Sequence, residues 1–174
     1  MRITIVVLAA VVLAGCASAP RMSARLPPTD PSPRTPVVLT ERAMDEIGGG
    51  RARELALHAL SYIGVPYRYG GTSPDTGFDC SGLVHYVYSR SAGIVLPRTT
   101  DALREVGTPI TADELTTGDL VFFDTLRKPY SHVGIYLGDQ RFIHAPTSGG
   151  QVELVDLRAW YWQSRFNGAR RPAL

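Results

Sequence analysis

The hydrophobic period of this chain changes once, after Gly118, and that change limits the fold more than any other feature. Before it, Ala52, Leu55, Ala56, Ala59, Leu60 and Ile63 recur at helical spacing, which predicts an amphipathic helix over residues 51–63. Gly64 and Pro66 stop it. A second helix is expected from near Cys80, with Leu83, Val84, Val87 and Tyr88 on one face and Gly93 beyond its end. Beyond Gly118, Leu120-Val121-Phe122-Phe123, His132 to Leu137 and Arg141 to Ala145 read as short strands separated by turns, and Val152 to Val155 adds another. Helices first and strands afterwards predict an α+β fold with an antiparallel sheet. The 174 residues leave room for one domain of ordinary size and hardly for two.

The first fifty residues have a different character. Met1-Arg2 leads into a run from Ile3 to Ala14 that is apolar except for Thr4. A spanning helix needs about 20 apolar residues, so this run is too short and reads as a secretory signal peptide over residues 1–15. It ends in Leu13-Ala14-Gly15-Cys16, which resembles the lipobox of bacterial lipoproteins. Cleavage there leaves Cys16 as the first residue, with lipid on its sulfur; a plain signal peptide with an incidental cysteine is the bland alternative. Residue 17 is Ala rather than Asp, which in enterobacteria-like sorting resembles a lipoprotein sent to the periplasmic face of the outer membrane. Residues 16–50 carry Pro20, Pro27, Pro28, Pro31, Pro33 and Pro36 and end in Gly48-Gly49-Gly50. They read as a tether, reaching about 30 Å as a coil and about 100 Å as stretched polyproline. The domain proper is residues 51–174. A net charge of +2 argues against a nucleic-acid partner.

A lipidated Cys16 leaves Cys80 without an intramolecular partner, so no disulfide is expected. Cys80 lies in Asp79-Cys80-Ser81-Gly82, where a glycine-rich loop from Tyr67 to Asp79 enters a helix. Free backbone N–H groups at a helix start favour the thiolate and suit an oxyanion formed on a substrate at that sulfur. A buried structural cysteine is the ordinary reading of a lone Cys, but Asp79, Ser81 and Gly82 are poor core neighbours, and a nucleophile is favoured. A thiolate catalyst needs a base, and the base an orienting group. In the alternating segment after Ser131, His132 shares a face with Gly134 and Tyr136; in the next strand His144 shares one with Phe142. The Gly138-Asp139-Gln140 turn would bring the two histidines together across a hairpin, with His132 as general base and acid and His144 as its orienter. Zinc held by Cys80, His132 and His144 competes, but no C-x-x-C or H-E-x-x-H spacing supports it. His58 sits beside the apolar stripe of the first helix. His85 follows Cys80 by five positions, about 140° away around a helix, and is expected at the surface or behind the site.

Taken in order, Pro66-Tyr67-Arg68-Tyr69-Gly70-Gly71, Phe78-Asp79-Cys80-Ser81-Gly82-Leu83-Val84, Leu96-Pro97-Arg98-Thr99-Thr100, Gly118-Asp119-Leu120-Val121-Phe122-Phe123, His132-Val133-Gly134-Ile135-Tyr136 and Phe142-Ile143-His144-Ala145 resemble the NlpC family of bacterial cell-wall cysteine peptidases over about residues 52–171. The resemblance implies a papain-like domain whose nucleophile heads a helix packed on an antiparallel sheet. It implies Cys80 as nucleophile, His132 as base and His144 as third polar residue, with Tyr67, Asp79 and Ser81 supporting substrate or oxyanion. One departure is Asp101-Ala102-Leu103-Arg104, where many relatives carry a glutamine. The implied activity is hydrolysis of peptidoglycan stem or cross-bridge amides, D-glutamyl to diaminopimelate or D-alanyl to diaminopimelate, through a thioester and with no cofactor or metal. Peptidoglycan peptides are the expected partners, with the membrane reached through lipid on Cys16 and protein regulators unspecified. A non-catalytic wall-binding lipoprotein, or an amidase or acyltransferase of the same fold, are the competing readings.

Overall fold

The computed structural model describes residues 50–147 and 149–174. The signal peptide, Cys16 and the tether up to Gly49 lie outside the described residues.

Helix α1 (Arg51–Ser61) buries Leu55, Ala56 and Ala59. It stops two residues earlier than its apolar stripe predicts. The Tyr62 N–H caps it by donating to Ala59 O and the Ile63 N–H donates to Leu60 O, and Gly64 then turns at φ 91°. Ile63 therefore falls off the helix and stays 40% exposed. The chain beyond pairs with a distant segment: Gly64 N donates to Val152 O (2.9 Å), Val152 N to Val65 O (2.8 Å) and Tyr67 N to Gly150 O (2.8 Å). The glycine-rich loop folds into a two-residue hairpin, β1 (Thr72–Ser73) and β2 (Gly77–Phe78), and delivers the chain to α2 (Cys80–Ser91). The face predicted for α2, Leu83, Val84, Val87 and Tyr88, is fully buried.

After the single turn α3 (Thr100–Leu103), the chain enters the sheet at β3 (Thr108–Ile110). Then follow β4 (Leu120–Phe123), β5 (His132–Gly138), β6 (Arg141–His144) and β7 (Glu153–Asp156). A short helix α4 (Trp160–Gln163) precedes β8 (Phe166–Arg171). The six-stranded sheet runs β3-β8-β4-β5-β6-β7, every neighbour antiparallel. Both long helices pack on one face, giving the α+β, papain-like arrangement expected from the sequence.

Three of the four expected strands keep their starts. The fourth begins at Glu153 rather than Val152, because the segment after α1 claims the backbone of Val152. Two strands escape the hydrophobic pattern. β3 is an edge strand carrying Pro109, and β8 reads Phe-Asn-Gly-Ala-Arg-Arg with only Ala169 buried. β8 is held by pairing on both sides and by Arg171, which bridges Asp119 at 2.7 and 2.8 Å.

The sheet has a core on each face. Leu120, Phe122, Val133, Ile135, Leu137 and Ile143 meet α1 and α2; Val121, Phe123, Tyr136, Phe142 and Ala169 meet Trp162 and Leu157 on the other side. This two-sided burial explains why β4 is an unbroken apolar run rather than an alternating one. His132, Gly134 and Tyr136 alternate with the helix-facing residues of β5, so His132 looks into the second core.

Candidate active site

Cys80 is the first residue of α2, so its own N–H is one of the groups that a helix leaves unpaired. The start of the helix is locked by Asp79. Its carboxylate accepts from Gly82 N (2.6 Å) and Gly70 N (2.9 Å) and pairs with Arg98 at 3.2 and 3.3 Å. Ser81 Oγ donates to Arg98 O (2.7 Å) and accepts from Arg98 Nη1 (3.1 Å). Both side chains flanking Cys80 are thus occupied in joining the glycine loop, the helix start and the Arg98 segment. A Cβ on residue 82 would collide with Gly71 O, so glycine is required there by the close approach of the loop.

Backbone N–H groups of Val133, Ser81 and Cys80 itself act on the sulfur in favour of its anion. Val133 is the residue after His132, so the thiol abuts the start of β5. Burial and then the Asp79 carboxylate push the Cys80 thiol up to about 11, outweighing those three donors. The helix start alone predicts a thiolate; the surroundings of this sulfur reverse that sign, because desolvation penalises the anion more than the N–H groups favour it. Tyr67 lies close by. Burial, followed by the charges of Cys80 and Asp79, pushes its phenol up, so the hydroxyl keeps its proton.

The hairpin brings the two histidines together. With Ile135 opposite Ile143 and Tyr136 opposite Phe142, extending the register places His144 opposite Gly134 and diagonal to His132. Any side chain on residue 134 would strike Phe142 Cδ2 at 2.5 Å and Ile143 O at 2.9 Å. His132 Nε2 and His144 Nδ1 are 2.8 Å apart. Nδ1 is therefore the ring nitrogen of His132 left for proton transfer. Burial, then His144, holds His132 well below the usual imidazole value. Burial also lowers His144, against the pull of Glu153.

Trp162 closes the far side: its ring stacks on His132 (5.8 Å, 28°) and stands edge-on to His144 (4.7 Å). The sequence motifs include neither Trp162 nor Glu153, although the pairing of β7 with β6 would have pointed to Glu153, which lies opposite His144. The other two histidines lie elsewhere. His58 is exposed on α1, and His85 bonds through Nδ1 to Leu96 O (2.6 Å). No metal-holding cluster of His, Cys, Asp and Glu exists among the described residues. The atoms His132 Nε2 and His144 Nδ1 face each other and cannot jointly ligate an ion.

The sequence profile of the NlpC/P60 family matches residues 64–171, which contain Tyr67, Asp79, Cys80, Ser81, His132 and His144. The chain belongs to the NlpC/P60 family. Among curated NlpC/P60 relatives, it is 45% identical over 125 residues to the murein DD-endopeptidase MepH of Escherichia coli K12, covering 70% of this chain and 46% of that protein. It is 43% identical over 122 residues to the probable endopeptidase YafL of the same organism, covering 68% and 49%. The chain therefore spans about half the length of these curated relatives. A solved NlpC/P60 family protein from Bacillus cereus superposes with a TM-score of 0.65 at 35% identity, over 72% of this chain and 41% of that one.

Proposed function

We propose that this NlpC/P60 chain is a peptidoglycan endopeptidase that hydrolyses stem-peptide or cross-bridge amides by thiol chemistry. The observation that carries the reading is the His132 Nε2–His144 Nδ1 contact at 2.8 Å, beside a thiol seated on the Val133 N–H at a helix start. It leaves one nucleophile, one base and one orienter in the order that acyl transfer requires. The names of the relatives, murein DD-endopeptidase and probable endopeptidase, support the substrate class.

In this mechanism Cys80 Sγ attacks the scissile carbonyl carbon while its proton passes to His132 Nδ1. The tetrahedral oxyanion is met by the Cys80 N–H and by the Tyr67 hydroxyl. Collapse breaks the C–N bond, His132 returns the proton to the leaving amine, and an acyl thioester remains on Cys80. Water, losing a proton to His132, then attacks the thioester; the carboxylic product leaves and the thiol regains its proton. Every step is a proton or acyl transfer, so no oxidant or cofactor enters. Asp79 and Ser81 contribute by fixing the loop and Arg98 around the nucleophile. The scissile bond is D-alanyl–diaminopimelate or D-glutamyl–diaminopimelate, and the domain works tethered by lipid on Cys16, at the periplasmic face of the outer membrane.

The test is digestion of purified sacculi with the full chain and with Cys80→Ser under reducing conditions, with released muropeptides identified by mass spectrometry. The full chain is expected to release cross-bridge or stem fragments, and Cys80→Ser none. Products identical to buffer in both samples would reject the activity, and tight binding without turnover would favour a wall-binding role. Label from mass-labelled water in the new carboxyl end distinguishes hydrolysis from transfer.

A further inference from the structure

The second nitrogen of His144 has nothing to do in the mechanism above, and its surroundings are unusual. His144 is completely buried, and Nε2 makes no hydrogen bond. A buried polar atom in that state costs free energy unless a partner reaches it. The group facing it is Glu153 Oε1, 3.5 Å away, on a half-exposed side chain that the β6–β7 register sets directly opposite His144. The distance exceeds that of a good hydrogen bond, but a carboxylate charge at that range still acts on a buried N–H group.

The consequence follows from proton counting. The bond between His132 Nε2 and His144 Nδ1 holds one proton, which can sit on either ring. If it sits on His144 Nδ1, neutral His132 must carry its own proton on Nδ1 and cannot accept one from Cys80. If it sits on His132 Nε2, Nδ1 is free to act as base, and neutral His144 must then carry its proton on Nε2, facing Glu153. Only the second arrangement is productive.

We propose that Glu153 is a positioning residue which holds the His144 proton on Nε2 and thereby selects the tautomer of His132 that can accept the thiol proton. The proposal deepens the endopeptidase reading and, for its effect on turnover, rests on it. Glu153 touches no reacting atom; its carboxylate acts through His144. When His132 becomes an imidazolium, the same carboxylate steadies the added charge one ring away.

Glu153→Leu removes the acceptor at similar volume, and Glu153→Gln keeps an oxygen that can accept from Nε2–H while removing the charge. Two-bond ¹H–¹⁵N correlation spectra of the ¹⁵N-labelled full chain report which nitrogen of each histidine is protonated. In the wild type and in Glu153→Gln, His144 is expected as the Nε2–H tautomer; in Glu153→Leu, a substantial fraction shifts to Nδ1–H. Turnover on a soluble cross-linked muropeptide is expected to fall roughly ten-fold in kcat for Glu153→Leu with KM within two-fold, well short of the ~10⁴-fold that follows corruption of a triad's own orienter. Glu153→Gln should recover most of that loss. An unchanged His144 tautomer in Glu153→Leu, or a kcat within two-fold of wild type, overturns the proposal. The spectra are read independently of turnover. An inactive wild type therefore sinks the endopeptidase reading, while the tautomer assignment is still decided.

Discussion

Cys80 and His132 are both driven towards their neutral forms. The thiol is pushed up to about 11 and the imidazole is held well below 6.5, so the proton rests on sulfur. In the proposed mechanism, attack and proton transfer are then coupled, rather than starting from a preformed ion pair. The same shifts make folding depend on pH in a defined way. Below pH 6.5 an unfolded chain binds protons at His132 and His144 that the native state refuses, so the contribution of each histidine is full above 6.5 and erodes as pH falls. The slope is about 1.4 kcal/mol per pH unit for each histidine until its folded value is reached. Cys80 acts at the other end: an unfolded thiol loses its proton from about 9 and the native one from about 11, so stability declines across that interval as pH rises. Thermal melts between pH 5 and 11 are expected to show a plateau from about 6.5 to 9 with a fall on either side. The acid fall should be shallower in His144→Gln.

At the level of elements, the start of α2 is where most of the site is organised. One carboxylate, Asp79, caps the helix through Gly82 N, holds the loop through Gly70 N and anchors Arg98. Asp79→Ala is expected to cost about 1–2 kcal/mol, the usual range for loss of an N-cap, read as a lower urea midpoint. Asp79→Asn, which can still accept from Gly82 N, should recover most of it. The helix itself was legible because its buried stripe and its glycine-rich entry are both local signals. So was the His132–His144 hairpin, since a period of two assigns faces without any knowledge of the partner strand. Glu153 and Trp162 were not legible, because their relation to the histidines exists only through β6–β7 pairing and the packing of a four-residue helix. β8 escaped for a related reason: its stability comes from neighbours on both edges and from Arg171–Asp119, not from its own residues. The sign of the Cys80 shift was also hidden. A sequence displays the helix start that favours a thiolate but not the burial that opposes it.

For the whole molecule, the described residues form a domain in which one sheet serves two cores, and the site lies at their boundary. Cys80 belongs to the helix side, packed against the first core, while His132 and His144 look into the second. Loosening either core would therefore misalign the proposed nucleophile and base. Under the proposed function, delivery to the substrate falls to the first fifty residues. Cys16→Ser is expected to abolish lipid attachment and release the protein from the membrane fraction, with turnover on soluble muropeptides unchanged. Retained membrane partitioning of that variant would contradict the anchor. Cys80 is the one free cysteine among the described residues, and it keeps its proton well beyond neutral pH. Peroxides and alkylating agents attack the sulfur anion, not the protonated thiol. In the proposed mechanism the anion forms only while a carbonyl is being attacked, which leaves such reagents little to react with between turnovers. The burial that makes this sulfur a reluctant acid therefore also slows its chemical ageing.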